Sequence, residues 1–455
     1  LVWFSMILPP YSYSLKIGAA VLFFCSILHT FLTPWLYTLC QSYEHKKLVF
    51  PECWKRYARL SELFRILSRV EIVFFLWAVP LFFWFLYTEG YRISMAYFNS
   101  RNYGFAVFIM VILILLESRP IVYFAELVLS SIAKLGKTSP KSWWWTLMIA
   151  PPLLSCLLKE TGAMIIGATL LMRHFYVFSP SRRFAYATMG LLFSNISIGG
   201  LTSYVSSRAL FLIFPALKWE HSFFLSHFAW KAIVAILIST TIYYFIFRKE
   251  FKKFPDIPSD KDPSVEKVPW WIICVNIIFV GSIILSRSTP LFMGALLLFY
   301  LGFQKFTIFY QDPINLSKVC YVGLFYAGLV VFGDLQEWWV LNLMQGLSDF
   351  GYMTVSYTLS IFLDNALVNY LVHNLSVATD CYHYLVVAGC MAAGGLTLVS
   401  NIPNIVGYLI LRSAFPSSTI HMGWLFLGAL GPSIISLGVF WLLKNVPEFL
   451  YCFFR

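Results

Sequence analysis

Apolar runs of membrane-spanning length follow one another along almost the whole chain, separated by short polar stretches. A helix needs about 20 apolar residues to cross a bilayer. On that measure the pattern predicts membrane helices over 15–40, 71–88, 104–133, 184–214 and 227–247 in the first half. In the second half it predicts them over 270–286, 290–303, 319–332, 383–412 and 420–443. Two further apolar stretches, 143–178 and 352–379, are interrupted near their centres by an acid, Glu160 and Asp364.

Basic residues orient these elements. The loop 41–69 carries Lys46, Lys47, Lys55, Arg56, Arg59, Arg65 and Arg69, and the loop 248–267 carries Arg248, Lys249, Lys252, Lys253, Lys261 and Lys267. Positive charge resists translocation, so both loops are expected in the cytoplasm, with an even number of crossings between them. Parity holds if 143–178 enters and leaves on one side, as a re-entrant hairpin or as two full helices. Lys134, Lys137 and Lys141 before it, and Arg182 and Arg183 after it, place both flanks on the basic side. The loops assigned outside carry only Arg92 and Arg101, and Lys218. The stretch 352–379 is too short for two spans, which need about 40 residues, so a hairpin is expected there too.

The tetrapeptide Gly-Gly-Leu-Thr occurs at 199–202 and again at 394–397, each time inside an apolar run and downstream of an acid-bearing segment. Matched placement of the acids and of this motif suggests a duplication. Each half then holds three helices, a hairpin, a broken helix and a last helix. The fold class expected is an all-α polytopic membrane protein of two inverted-topology repeats, with about 10 crossings and 2 hairpins. The repeats are 1–247 and 270–455, joined by a cytoplasmic linker 248–269, with the N-terminus outside.

Composition agrees with lipid as the main solvent. The chain is 59% hydrophobic and 12% charged, about half the roughly 25% charged residues of a soluble domain. The net charge of +12 is spread through short loops, so it orients the chain and predicts no nucleic-acid partner. The nine cysteines are scattered and read as small hydrophobes. Cys381, His383 and Cys390 have metal-ligand chemistry, but packing explains them as well. The chain starts at Leu1 without a basic segment ahead of the first apolar run, so that run is expected to be retained as a helix. No phosphate loop, nucleophile elbow or H-E-x-x-H is present, and neither enzymatic activity nor a cofactor is expected.

The chemistry concentrates at the interruptions. A Gly-Gly pair inside an apolar run invites unwinding, and unwound backbone is tolerated in a membrane only where protein buries it or it lines a cavity. Freed carbonyls there suit a cation, and Thr202 and Thr397 add hydroxyl oxygens. Asn401-Ile402-Pro403-Asn404 continues the second break, and Ser203, Ser206 and Ser207 match it in the first half. An ionisable residue at mid-membrane costs about 2.5–3.5 kcal/mol on insertion scales. Glu160 and Asp364 therefore need a purpose, and desolvation lets a proton and a cation compete for one carboxyl. Thr161, Asn365 and Asn369 supply neutral oxygens. The bland alternative is that either acid pairs with a buried cation such as Arg208, or caps a hairpin helix. Glu117 and Arg119 read as an internal pair, His29, His174 and His227 as packed or interfacial, and the Trp143–Trp145 and Trp270–Trp271 clusters as interface belts.

The run Gly394-Gly395-Leu396-Thr397-Leu398-Val399-Ser400-Asn401-Ile402-Pro403-Asn404 resembles the signature of the ion transporter superfamily, which includes sodium/proton antiporters, arsenite permeases and sodium/dicarboxylate symporters. Leu363-Asp364-Asn365-Ala366 looks like the Asp-Asn tip of its antiporter and arsenite branches. Leu158-Lys159-Glu160-Thr161-Gly162-Ala163-Met164, Asn195-Ile196-Ser197-Ile198-Gly199-Gly200 and Phe228-Ala229-Trp230-Lys231-Ala232 look more closely like a family of bacterial sodium/proton antiporters, over nearly the whole chain. The resemblance implies sodium and proton sites at Asp364, Asn365, Gly395, Thr397 and Asn404, with Glu160, Asn195, Gly200 and Thr202 opposite. It implies a multi-pass protein of a bacterial inner membrane, and related folds are often homodimers. Acids at both tips, in place of the Ser-Asn-Thr of the dicarboxylate branch, disfavour an organic dianion. Arsenite or an organic anion on the same scaffold is the nearest alternative, and a membrane enzyme or a polytopic scaffold the more distant one.

Overall fold

A computed structural model describes residues 11–101, 103–137, 139–203, 206–207, 209–210, 219, 221–255, 267–286, 289–373 and 380–446. Every regular element among the described residues is helical. Seven helices are long and apolar enough to cross a membrane, or eight if the bent pair Ala106–Leu116 and Arg119–Gly136 counts as one span. The chain is thus a multi-pass membrane protein. The sequence pattern gives ten crossings. The difference lies partly at Trp270–Leu285 and Pro290–Phe306, of 16 and 17 residues. At 1.5 Å per residue these reach about 24–26 Å, short of a hydrocarbon layer of about 30 Å. The run 383–412 is divided by its own break.

The helices pack as two compact units, Leu1–Val107 with Cys320–Trp339, and Phe108–Val319 with Val340–Arg455. Each unit draws chain from both expected repeats. In the first unit α1 (Tyr13–Val49) packs on α2 (Trp54–Leu67) and α3 (Val73–Ser100). Much of the expected loop 41–69 is therefore helical, because Gln, Glu and Lys prolong a helix well beyond its apolar stretch. α3 reverses at Gly90 (φ 77°, ψ 169°). Phe82 meets Phe98 at 5.2 Å and Phe85 stacks on Tyr97 at 4.8 Å, although a straight helix would hold residues 16 apart about 24 Å from each other. α11 (Leu316–Gly333) closes this unit: Phe325 packs edge-on to Phe74, and the Tyr97 hydroxyl donates to Val331 O at 2.6 Å.

In the second unit α4 (Gly104–Leu116) and α5 (Arg119–Ala133) meet at 71°. The Glu117–Ser118 bend between them suits Pro120, whose missing N–H is tolerated in a first turn. α6 (Pro140–His174) is interrupted at Lys159. Its two arms lie together: Trp143 packs on His174 at 4.2 Å, and a Cβ built on Gly167 meets Pro151 Cβ at 3.4 Å. A straight helix would separate Trp143 from His174 by about 46 Å. α7 (Arg182–Gly199) is buried from Phe184 to Gly199, and it packs against α6, α8 (Trp230–Phe247) and α17 (Met422–Leu442). A short π turn, Leu225–Ala229, leads into α8.

Later in the same unit, α9 (Trp270–Leu285) packs on α5 and on α10 (Pro290–Phe306). α12 (Glu337–Leu343) precedes α13 (Asp349–Phe362), and α14 (Asn365–His373) follows a two-residue gap. α15 (Asp380–Ala393) lies along α13, and α16 (Pro403–Leu411) packs on α6.

The crossing of α7 and α17 is set by small residues. A Cβ on Gly190 would overlap the Gly428 and Ala429 backbone, and one on Gly428 would overlap Tyr186 O. Close backbone approach of this kind is the usual basis of helix association in lipid. Gly190→Leu is expected to destabilise the protein by about 1–3 kcal/mol, read as a lower melting temperature of the purified protein by intrinsic tryptophan fluorescence. An unchanged melting temperature would show that the crossing tolerates bulk.

Candidate functional site

Four interruptions of helical backbone meet in the second unit. The first arm of α6 ends at Lys159, which adopts φ 65°, ψ 163°. Only glycine reaches this region without strain, and another residue costs about 1–3 kcal/mol there. Gly90 takes nearly the same angles in the first unit with no Cβ to object. The turn at Lys159 delivers Glu160 into the interior, where it is 3% exposed. Its backbone N–H donates to Ser206 O at 3.2 Å, in the segment after the first Gly-Gly break. Its carboxyl lies against Gly200, where any Cβ would overlap Oε1. The Ser207 and Asn401 side chains stand beside the carboxyl, and its charged neighbours are Asp364 and Lys159. Among the described residues, Glu160 Oε1 and Ser206 Oγ are buried without a hydrogen-bond partner.

The second tip has the same logic with different residues. α13 ends at Phe362, Leu363 is extended (φ −113°, ψ 150°), and the Asp364 carbonyl accepts the N–H groups of Leu367 and Val368 at 2.9 and 3.1 Å to open α14. Asp364 is 4% exposed. Asn365 N–H donates to Ser400 O at 2.9 Å, in the second break. The Asn365 side-chain amide reaches Met391 Sδ at 3.3 Å, and the Ser207 hydroxyl approaches the same sulfur at 3.9 Å. Met391, in the last turn of α15, thus stands between the two halves of the site.

The second break is braced by its own side chains. The Asn404 amide donates to both Gly394 O and Thr397 O at 2.7 Å, and Ser400 Oγ lies 2.9 Å from the same two carbonyls. The Thr397 hydroxyl donates to Ile361 O at 2.8 Å and accepts Ser400 N–H at 3.1 Å, tying the break to α13. Carbonyls released by unwinding are therefore answered by protein, as burial requires.

Of the residues expected from sequence, Glu160, Gly200 and Asp364 come together. Asn365 joins them through Met391, and Asn404 and Thr397 act as braces. Gly395 is placed by packing: a Cβ there would strike Ser194 of α7. The Asn195 amide is engaged by Met148 O at 2.9 Å and by Thr240 Oγ1 at 3.1 Å, linking α7 to α6 and α8. The Thr202 hydroxyl closes its own turn onto Gly199 O at 2.7 Å. The Asn369 amide donates back to Asn365 O at 2.7 Å. Arg208 lies outside the described residues. Among the described residues, no group of three His, Cys, Asp or Glu side chains is placed to hold a metal.

Met391 has no polar interruption of its own to mark it, and Ser400 is marked only by its place in the run 394–404. Lys231 does carry such a mark, as a cation within the apolar run 227–247. Two buried carboxyls with neutral hydroxyl and amide groups around one of them have the oxygen chemistry that suits a hard cation or a proton. Lys159→Gly is expected to raise stability by about 1 kcal/mol by relieving the turn strain. Thermal unfolding of the purified variant checks it, and a lower melting point would mean that the lysine side chain holds the turn.

A family model with the description "Putative Na+/H+ antiporter" matches residues 14–443 of this chain. No curated protein matches it.

Proposed function

The chain belongs to this "Putative Na+/H+ antiporter" family, and from that premise we propose that it exchanges sodium for protons across a bacterial inner membrane. Membership favours a transporter over an enzyme. The observation that carries the proposal is the buried Glu160 carboxyl: Asp364 is its acidic neighbour, Ser207 and Asn401 stand beside it, and Oε1 has no hydrogen bond among the described residues. Two carboxyls that feel each other's charge in a poorly solvated site resist being charged together. A proton on one of them, or a sodium ion between them, relieves the repulsion, and the two ligands exclude each other. This competition couples the fluxes.

In this proposal α6 and the pair α13–α14 are re-entrant hairpins of two inverted repeats, and the N-terminus lies outside. The fold-back of α6 at Lys159 and the parallel bonds from Glu160 N–H and Asn365 N–H to the two breaks support it. The oxygen ligands are Glu160 and Asp364, with Asn365, Ser207 and Asn401 as neutral partners. Gly200 and Gly395 admit the close approach, and Asn195, Thr202, Thr397 and Asn404 hold the frame. A cavity of about 310 Å³ lined by Glu117, Thr169, Arg173, Asp312 and Asn315 reaches the second arm of α6. Pairing of two copies stays part of the proposal as a homodimer.

The test is proton movement in proteoliposomes on addition of sodium, lithium or potassium. Wild type is expected to dissipate an imposed pH gradient with sodium, whereas Asp364→Ala and Glu160→Gln each lower the rate by about 100-fold or more, the usual scale for losing an essential proton-transfer group. The exchange rate is also expected to fall at low pH, where protons hold the carboxyls against sodium. No response to any of the three cations sinks the antiport reading and directs the search to anionic substrates.

A further inference from the structure

Lys231 is a buried cation that the mechanism above does not use. It is the second residue of α8, directly after the π turn Leu225–Ala229, and is fully buried, at 0% exposure. Its partner Tyr384 and its chain neighbours Phe228 and Ala232 all belong to one buried apolar cluster. Nζ donates to the Tyr384 hydroxyl at 3.0 Å and lies 4.5 Å from the centre of the Tyr384 ring and 5.8 Å from that of Trp230. Tyr384 in turn donates its hydroxyl proton to Phe440 O at 2.9 Å. Among the described residues no carboxylate forms an ion pair with Lys231.

Its place in the fold joins it to the site. The π turn and α8 both pack on Gly200–Thr202, the segment that carries Glu160 on Gly200. Tyr384 lies on α15, the helix that ends in Met391 and the second break. Among the described residues, the titratable groups on the elements that carry the pair include these. α15 presents Tyr384, with Tyr382 and His383 beside it in sequence. α8 and its leading turn present His227, whose ring is 6.5 Å from that of Tyr384 and whose Nδ1 is occupied by Ser226 and Phe223 O. α17 presents the Phe440 carbonyl, and α7 meets α8 through Asn195 and Thr240.

We propose that Lys231 is a second proton-carrying residue of the exchange. This rests on the antiport reading above. A buried cation kept only for structure is held by a counter-charge. Lys231 has instead a neutral hydroxyl whose own proton is directed elsewhere, leaving oxygen lone pairs toward Nζ. That hydrogen bond persists whether the nitrogen is an amine or an ammonium, so a proton can join or leave the nitrogen lone pair without rebuilding the packing. Sodium arriving at the acids drives the proton off Lys231 by repulsion, and sodium leaving lets it return. Lysine suits this role because its charge responds to its surroundings, whereas arginine stays charged.

The experiment compares wild type, Lys231→Arg, Lys231→Met and Lys231→His in proteoliposomes, recording sodium-driven proton flux across a range of pH. Folding is monitored by gel filtration and by radioactive sodium binding to the detergent-purified proteins. The fixed charge of arginine and the apolar methionine are both expected to lower exchange about tenfold or more while sodium binding survives. Histidine is expected to restore flux with its pH profile displaced to lower pH, following its lower intrinsic pKa. Should the three variants not fold, Tyr384→Phe keeps the lysine and removes its acceptor, and is expected to displace the profile at near-normal maximal rate. A Lys231→Arg protein with wild-type flux and profile overturns the proposal, as does an unshifted Tyr384→Phe profile. Wild type without sodium-driven flux overturns the antiport reading and this inference together, so the two failures are told apart by which protein fails.

Discussion

A helix interrupted inside a membrane protein must find new partners for every N–H and C=O it releases, because no water is available to take them. The second unit solves this across elements rather than within them. Glu160 N–H at the α6 turn is answered by Ser206 O, and Asn365 N–H at the head of α14 is answered by Ser400 O. Each turn is thereby pinned to a break in another helix. The same two bonds fix where the acids lie, since Glu160 and Asp364 are the residues at those turns. The position of the chemistry is a by-product of satisfying the backbone.

Small residues make this geometry possible. Gly200 leaves room for the Glu160 carboxyl, and Gly394 and Gly395 lie so close to Ser197 and Ser194 that a methyl group on either would collide. The second break is braced, with Asn404 and Ser400 occupying its Gly394 and Thr397 carbonyls and the Thr397 hydroxyl tying it to Ile361 O of α13. In contrast, Glu160 Oε1, Ser206 Oγ and the Asn401 amide nitrogen are buried without hydrogen bonds among the described residues. A firm frame around loosely committed polar atoms is the arrangement expected where a ligand completes the site, because the frame's ordering is already accomplished before binding.

Two backbone irregularities lie in the second unit beside residues already described. Lys159 occupies backbone angles that suit glycine, directly beside the buried Glu160, and a π turn stands just ahead of Lys231. Both features are maintained by packing from several helices at once. Such deviations persist only where the surroundings over-determine them, and π turns inside helices are frequent at functional sites.

Much of this was legible in the chain itself. Long apolar runs determine helices in a membrane, and two acids and two Gly-Gly-Leu-Thr motifs within those runs mark where helices give way, because a charge or a flexible residue in hydrocarbon is a strong local signal. The reversal at Gly90 and the extension of α1 to Val49 are weaker signals, dependent on which contacts compensate a turn or prolong a polar helix. The partners of Asn195, Thr397 and Asn404 were beyond sequence, since an amide or hydroxyl bonds equally well to a cation, a carbonyl or its own turn until the fold brings one of them within hydrogen-bond reach. Burial of Lys231 against Tyr384, 153 residues away in the chain, is likewise a tertiary decision. Hydrophobic patterning acts over a few turns of helix and is written locally, whereas which polar atom meets which is settled only when distant helices pack.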